Sequence, residues 1–374
     1  MSHSTDWFCK KCLMPRSRPR IVFRDGICNA CHWAVEKQEI DWDERRAEFI
    51  EIVKSYKRHP AYDCIVPFSG GKDSAAISFR LKREFGLNPL LVCYGQLVWT
   101  DVGRRNLHRV ADAGFDIRYW RVDQEVSRSL ARRFFIERGH PKQHYDAAVN
   151  AVPLIQAVES NIPLVIYAEH GETEYGGLVL SEDSRRTRDL AEVLEHQVGD
   201  DARNWAVDGL TERDLYPYIY PDIPDIRRVG VTAFYFSYFF PWSIYANAQY
   251  AKEKLGFEGV DDEYGNRSDG TFENWDSIDD AIDCADYLLM HVKFGFGRAT
   301  RMASRLIQNG IMTRVEGLEL VKKYDGEYPR RYMPKILDYL GMSREEFDNV
   351  LDQHRNPEIW SQDSGVWKLR HPPE

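Results

Sequence analysis

The sequence lacks the features of a membrane or secreted protein. No run reaches the roughly 18 apolar residues that a membrane-spanning helix needs. The aromatic stretch 234–242 is too short to cross a bilayer and contains a proline. Residues 1–6 lack the basic and apolar regions of a signal peptide. We therefore expect a cytoplasmic protein without a membrane span.

An excess of basic charge is absent as well. The chain has 50 Lys and Arg against 59 Asp and Glu, a formal net charge of −9. A broad nucleic-acid surface needs clustered positive charge. Arg16, Arg18 and Arg20 form one small basic cluster and residues 185–188 hold another, as is typical of solvated faces or phosphate clamps. We expect no nucleic-acid partner.

Internal repeats and low-complexity tracts are also missing, and 374 residues exceed one typical domain. We predict a cysteine-rich module at residues 1–40, a larger domain at 41–215 and a mainly helical region at 216–374. The charged, proline-rich segment 181–230 is interpreted either as a lid over the substrate or as a plain surface excursion.

Apolar runs alternate with helical patterns after residue 61, which predicts an α/β domain with a parallel sheet covered by helices on both faces. The predicted strands are 62–68, 88–94, 116–122 and 163–168. Beyond residue 276 the pattern becomes helical, with predicted helices at 278–292, 298–309, 314–323, 330–340 and 343–353. Gly310 and Gly341 stand where two of these helices would be capped.

The strongest motif is Pro-Phe-Ser-Gly-Gly-Lys-Asp-Ser at residues 67–74, between a strand and a helix. Adjacent glycines let backbone N–H groups approach an anion, and the helix places its positive end at the same point. The residues assigned to the nucleotide are Ser69, Gly70, Gly71, Lys72, Asp73 and Ser74. Lys72 and Asp73 are also predicted to be catalytic, with Asp73 holding Mg²⁺. An isolated Ser-Gly-Gly turn is common, but the flanking strand and helix argue against that reading.

Four cysteines form a second motif. Cys9 and Cys12, then Cys28 and Cys31, make two Cys-x2-Cys knuckles separated by fifteen residues. Such knuckles match a closed tetrahedral Zn²⁺ site, which leaves no coordination position open for catalysis. We predict a structural zinc ion.

Two further segments should lie at the carboxyl edge of the sheet, where ligands bind in open α/β folds. In Glu-His-Gly-Glu-Thr-Glu-Tyr-Gly-Gly at 169–177, Glu172 is predicted to be catalytic, and Glu174 and Tyr175 to bind substrate. The alternative is a polar loop with a glycine turn. Thr100 and Asp101 are assigned to the nucleotide; their alternative role is to start an ordinary helix.

The loop at 67–74 resembles the pyrophosphate loop (PP-loop) of the ATP-pyrophosphatase superfamily. More narrowly, the chain resembles the bacterial N-acetyl sugar amidotransferases of surface-polysaccharide, O-antigen and pseudaminic acid pathways. The resembling segments are the cysteine knuckles and residues 67–74, 171–177, 238–242, 287–300 and 321–326. The resemblance implies a PP-loop domain at 41–215 and conversion of a sugar acetamido group to an acetamidino group through an adenylylated intermediate. ATP, Mg²⁺ and ammonia are then required.

Ammonia is expected to come from a partner. None of the seven cysteines has the setting of a glutaminase nucleophile, and position 2 is Ser2. The resemblance implies a separate glutaminase and an ammonia-channel subunit similar to histidine-biosynthesis proteins. The sugar is expected free or nucleotide-linked, with Lys293 and Arg298 binding its acidic groups. A charge cluster at a helix terminus is the alternative for these two residues.

Two other functions compete with this interpretation. A tRNA-modifying sulfurtransferase of the same superfamily would usually carry further cysteines near the third helix of the core, and residues 137–145 contain none. A zinc-knuckle scaffold with a decayed ATP loop is disfavoured by the intact Ser69, Lys72, Asp73 and Ser74.

Overall fold

A computed structural model describes residues 7–56, 59–188, 199–207 and 209–374. Its strands are β1 Phe23–Arg24, β2 Ile27–Cys28, β3 Cys64–Pro67, β4 Pro89–Tyr94, β5 Ile117–Trp120, β6 Leu164–Tyr167, β7 Thr232–Tyr235, β8 Trp360–Asp363 and β9 Val366–Leu369. The helices up to the middle of the chain are α1 Asn29–Glu36, α2 Trp42–Tyr56, α3 Lys72–Glu84, α4 Asp101–Asp112, α5 Gln124–Arg138, α6 Gln143–Ser160, α7 Gly171–Tyr175 and α8 Glu182–Arg186.

The other helices of the described part lie in the second half of the chain. In the described residues, 3-10 turns lie at Ala202–Trp205 and Tyr216–Tyr218. The α-helices are Glu212–Leu215, Ile223–Val229, Phe236–Phe239, Ile244–Leu255, Asp283–Phe294, Arg298–Gln308, Arg314–Tyr324, Met333–Leu340 and Arg344–Gln353. Among the described ranges, no helix combines the length and the apolarity that crossing a bilayer requires.

Five parallel strands form the central sheet, in the order β5-β4-β3-β6-β7. Ile65 of β3 pairs with Leu90 on one side and Val165 on the other. The predicted α/β architecture is confirmed, with helices on both faces of a parallel sheet and a helical C-terminal region.

Alternate side chains of each strand supply two separate cores. In β3, Ile65 packs with Phe134 of α5 and Ile155 of α6 on one face. Its neighbours Cys64 and Val66 pack on the other face, among residues of α2, α3 and α4. Because both faces are buried, these strands read as continuous apolar runs in the sequence.

Several elements differ from the sequence-based expectation. The sheet has a fifth strand, β7, in the aromatic stretch that was not predicted to form a strand, so the sheet extends past the domain boundary predicted at 215. The division into domains stays a prediction. A helix at Ile244–Leu255 and the hairpin β8–β9 were also missed. The predicted lid segment 181–230 contains short helices, but its residues 189–198 and 208 lie outside the described part of the chain.

Candidate active site

The strand order reverses between β3 and β6, because the chain builds β4 and β5 on one side of β3 and then returns to the other side. In open α/β sheets, ligands bind in the crevice outside the carboxyl ends of the strands at such a reversal. Residues 68–71 leave β3 at this point, and residues 168–170 leave β6. The two segments that the sequence singled out therefore flank one crevice.

The loop after β3 has the backbone geometry of an anion cradle. Gly70 adopts φ +89°, and a Cβ there would lie 2.9 Å from the Trp99 ring. Gly71 is the N-cap of α3 and offers no side-chain acceptor, while its own N–H donates to Ser69 Oγ at 3.1 Å. Within the described residues no side chain caps this helix, so its first-turn N–H groups are left for an anion.

Lys72, the first residue of α3, is buried in an ion-pair network. Its Nζ donates to Asp73 at 2.7 Å and to Asp276. Burial opposes the charge, but Asp276 and Asp73 raise the pKa of Lys72 above its ordinary value. Asn247 Nδ2 donates to the other carboxylate oxygen of Asp73 at 2.9 Å. The lysine stays charged, and Asp73 is held at the rim of the crevice.

An acidic loop opposite α3 is the part of the site that sequence reasoning missed. Asp276 and Asp279 are both less than a tenth exposed, and Asp283 stands at the start of the helix that follows. Despite burial, Lys72 and Arg301 hold the pKa of Asp276 far below its ordinary range. Burial raises the pKa of Asp279 to about 6 and that of Asp283 to about 7. The available signal was the repeated aspartate in 276–283, most of which falls within the helix predicted at 278–292.

Hydrogen bonds attach this acidic loop to the end of β4. Thr100 Oγ1 donates to the Ile278 carbonyl at 2.6 Å. Asp280 accepts from the N–H groups of Leu97 and Val98 at 3.2 and 3.1 Å and pairs with Lys142 at 3.1 Å. Residues 278–282 are consequently not helical, and the predicted helix begins later, at Asp283.

Glu169 extends the site from the end of β6. Its carboxylate accepts a hydrogen bond from Tyr175 Oη at 2.6 Å. Burial and the nearby charge of Asp73 raise the pKa of Glu169 to about 7. A carboxyl group that changes charge near neutrality thus lines the same cavity as the loop after β3.

This raised pKa predicts a pH effect on stability. The carboxyl group binds its proton more tightly when the protein is folded, so its contribution is full below about pH 4.5 and is lost as the pH rises through about 7. Between pH 5 and 8, wild type should lose roughly 1–3 kcal/mol of unfolding free energy relative to Glu169→Gln, allowing for solvent screening of the half-buried group.

Thermal melting of both proteins at pH 5 and pH 8, without nucleotide, measures this effect. The exposed Glu319→Gln serves as a control that keeps the pH difference of wild type. Identical pH profiles for wild type and Glu169→Gln would contradict the assignment.

Three cavities meet at the crevice. One of about 530 Å³ lies between the ends of β3, β4 and β6 and is lined by Phe68, Tyr94 and Tyr167. A polar cavity of about 210 Å³ adjoins it through Ser69, Asp73 and Glu169 and holds the acidic loop. A third, of about 650 Å³, adjoins the polar cavity through shared wall residues at α7 and the helix Arg298–Gln308. The arrangement has room for two ligands on either side of one polar chamber.

The four cysteines form a second site. Cys9, Cys12, Cys28 and Cys31 are buried, and their Sγ atoms all lie within 4.8 Å of one another. Two of the separations are 3.6 and 3.8 Å, close to the roughly 3.8 Å expected between sulfurs 2.3 Å from a tetrahedral zinc ion. The donor set fits zinc.

Local structure brings these cysteines together. The Asp25-Gly26 turn, with both residues at positive φ, closes the hairpin β1–β2 and delivers Cys28 beside Cys9. The backbone N–H groups of Cys12 and Cys28 point at Cys9 Sγ, at 3.5 and 3.3 Å. His32 bonds the Arg24 carbonyl and is not part of the cluster.

The cysteine module also braces the candidate active site. Trp33 Nε1 and Lys37 Nζ both donate to the carboxylate of Glu174, each at 2.9 Å. On its other side, the Leu13 N–H donates to Ser304 Oγ, and Leu13 packs in the helical region. The module thus connects α7, at the end of β6, with the C-terminal helices.

Of the predicted site residues in and beside α4 and α7, some contact other protein segments and two line a cavity. Thr100 is the N-cap of α4, and Asp101 is an exposed first-turn residue. Glu172 faces Arg20 at 3.6 Å. Glu174 is buried against the cysteine module, whereas Tyr175 lines the polar cavity. Their roles in nucleotide binding, catalysis and substrate binding stay predictions.

The two predicted cationic ligands are not among the residues that line the three cavities. Lys293 Nζ donates to the Arg138 carbonyl at 2.8 Å, at the end of α5. Arg298 is 2% exposed, donates to the Ser277 carbonyl at 3.2 Å and lies 3.6 Å from Glu273. Both contacts fit the alternative of charged groups at helix termini, and Arg298 also fixes the backbone of the acidic loop.

One comparison with known proteins agrees with the pathway that the resemblance implies. Residues 269–371 match the family model described as LPS biosynthesis protein WbpG-like, C-terminal domain. This match supports a role in LPS biosynthesis. The chain is also 34% identical over 87 residues to the uncharacterized protein MJ1599 of Methanocaldococcus jannaschii. That similarity covers 22% of this chain and 31% of the relative, so the chain spans about a third of the relative's length.

Proposed function

We propose that the protein is an ATP-dependent, AMP-forming amidotransferase that converts a sugar acetamido group to an acetamidino group in LPS biosynthesis. The observation that carries the proposal is the uncapped helix α3 behind a Ser-Gly-Gly loop at the reversal of the strand order. The match of residues 269–371 to a domain of LPS biosynthesis proteins supports the pathway.

The nucleotide is assigned to the 530 Å³ cavity, with its phosphates directed at the loop after β3. Ser69 and the first-turn N–H groups of α3 would donate to the pyrophosphate. Asp73 and Glu169 are the carboxylates shared by this cavity and the polar one, and they suit a divalent cation. When bound, Mg²⁺ would offset the negative charge that develops on departing pyrophosphate.

Adenylylation addresses the chemical difficulty of the reaction, since an amide oxygen is a poor leaving group. The acetamido oxygen would bond to the α-phosphorus of ATP as pyrophosphate departs. Ammonia would then add to the activated carbon, and cleavage of the C–O bond would release AMP. The polar cavity, where Lys72 and Arg301 balance several carboxylates, supplies fixed charges around this step.

The cysteines support an outside source of ammonia. All seven lie among the described residues, and four belong to the metal cluster. Burial raises the pKa of the Cys64 and Cys93 thiols above the ordinary value and that of Cys284 to about 12, so none resembles an activated nucleophile. A glutaminase subunit with an ammonia-channel subunit is the proposed supplier.

The products of the reaction test this proposal. The purified protein would be incubated with ATP, Mg²⁺, ammonium and UDP- or CMP-linked acetamido sugars. We expect AMP and pyrophosphate in equal amounts, with a sugar whose mass shows replacement of oxygen by NH. Release of ADP and phosphate, or AMP without a modified sugar, would overturn it.

A further inference from the structure

The cavity of about 650 Å³ lies outside the proposed nucleotide site. Its wall is formed by α1 of the cysteine module, by residues 241–246 and by the end of the helix Arg298–Gln308. Tyr175 and Arg305 belong both to this cavity and to the polar one, so they stand at the junction between them. A ligand in the larger cavity could therefore reach the polar chamber past these two side chains.

Arg305 is a buried cation that forms no close ion pair among the described residues, and its charge acts only at longer range on the carboxylates of Asp276 and Glu169. The residue is 7% exposed, and its guanidinium lies 3.7 Å from the ring centre of Tyr175. Among the described residues it has neither a hydrogen-bond acceptor nor a carboxylate partner within bonding distance. Because an unpaired buried charge is costly, buried arginines normally have an anionic partner.

The rest of this cavity wall also favours an anion. Its charged residues are three cations, Lys11, Lys37 and Arg305, and one carboxylate, Glu174. Glu174 is already neutralised by Lys37 at 2.9 Å. The indole N–H of Trp242, in the same wall, is buried and has no acceptor in the part of the chain that the structure describes. Within that part, two donor groups without acceptors thus lie along a cavity with surplus positive charge.

We propose that Arg305 binds an anionic group, phosphate or carboxylate, of the substrate that receives nitrogen. The planar guanidinium can donate two parallel hydrogen bonds to either group. Tyr175 holds the guanidinium from its other face, and the neutral part of the ligand faces the apolar wall formed by Trp42 and Ile244. The proposal rests on the proposed function only where it names this ligand as the substrate that receives nitrogen.

Direct binding to the full chain, with zinc retained, tests the proposal without turnover. The diphosphate probe is UDP-N-acetylglucosamine, the carboxylate probe is N-acetylneuraminate, and N-acetylglucosamine is the neutral control. Wild type should bind at least one charged probe, and the one it binds identifies the anion. Arg305→Met should weaken that binding about 10- to 100-fold, as expected for a charge-assisted hydrogen bond, and Arg305→Lys less.

Binding of a non-hydrolysable ATP analogue with Mg²⁺ to the same variants reports folding and the nucleotide site. It should change less than about twofold, and the exposed Arg330→Met should leave every affinity unchanged. The proposal fails if neither charged probe binds wild type, or if Arg305→Met binds them normally. It also fails if Arg305→Met weakens binding of the ATP analogue as much as binding of the charged probe, because Arg305 would then belong to the nucleotide site. If the enzyme forms ADP and Arg305→Met still weakens binding of the charged probe, only the proposed function is refuted.

Discussion

Replacement of Asp73 by asparagine is expected to lower the rate of AMP formation by about 10²- to 10³-fold, the scale of losing one preorganised electrostatic group in an active site. The carboxylate stands at the junction of the 530 Å³ and polar cavities. The amide keeps the shape and can still accept from Asn247, but it loses the charge that suits a divalent cation.

The fold should survive this substitution, because Lys72 retains its second partner, Asp276. The melting temperature should therefore stay within a few degrees of wild type, so loss of activity can be assigned to chemistry. Glu84→Gln makes the same carboxylate-to-amide change at the far end of α3 and should leave the rate unchanged. An Asp73→Asn enzyme with a rate within tenfold of wild type would remove Asp73 from the proposed mechanism.

The core of the fold was predictable because its signals are local. Strand β3, the glycine loop and α3 follow one another directly, and the continuous apolar runs of β4 and β6 mark strands buried on both faces. Strand β7 was missed for a physical reason: Thr232–Tyr235 runs straight into the helix Phe236–Phe239, so no turn residue separates the two aromatic segments.

The sequence predicted only the parts of the candidate site that come directly after a strand. The loops after β3 and β6 meet at the crevice as expected. The acidic loop lies about 200 residues away in sequence, and Asp276 reaches Lys72 only through tertiary packing. Spacing alone cannot distinguish such a loop from a solvated helix face. Arg298, which was predicted to bind substrate, donates to the Ser277 carbonyl of this loop, and its role in substrate binding stays a prediction.

The cluster of four cysteines leads to the second large expected effect. Cys28→Ser should release zinc and lower the melting temperature by about 5–10 °C, because a structural zinc site contributes several kcal/mol to folding. Cys28 ends β2 and starts the turn into α1, so its loss also loosens the helix that carries Trp33 and Lys37. These are the side chains that hold Glu174 of α7.

Loss of zinc should therefore affect the two large cavities to different extents. The 650 Å³ cavity has α1 in its wall, whereas the 530 Å³ cavity is built from the sheet and α6. We expect Cys28→Ser to lose more affinity for the acetamido sugar than for the ATP analogue. Zinc would be measured by mass spectrometry in the same samples. Cys284→Ser, which removes a buried thiol outside the cluster, should keep its zinc and both affinities. A Cys28→Ser protein that loses zinc yet melts as wild type would show that the ion does not support this part of the fold.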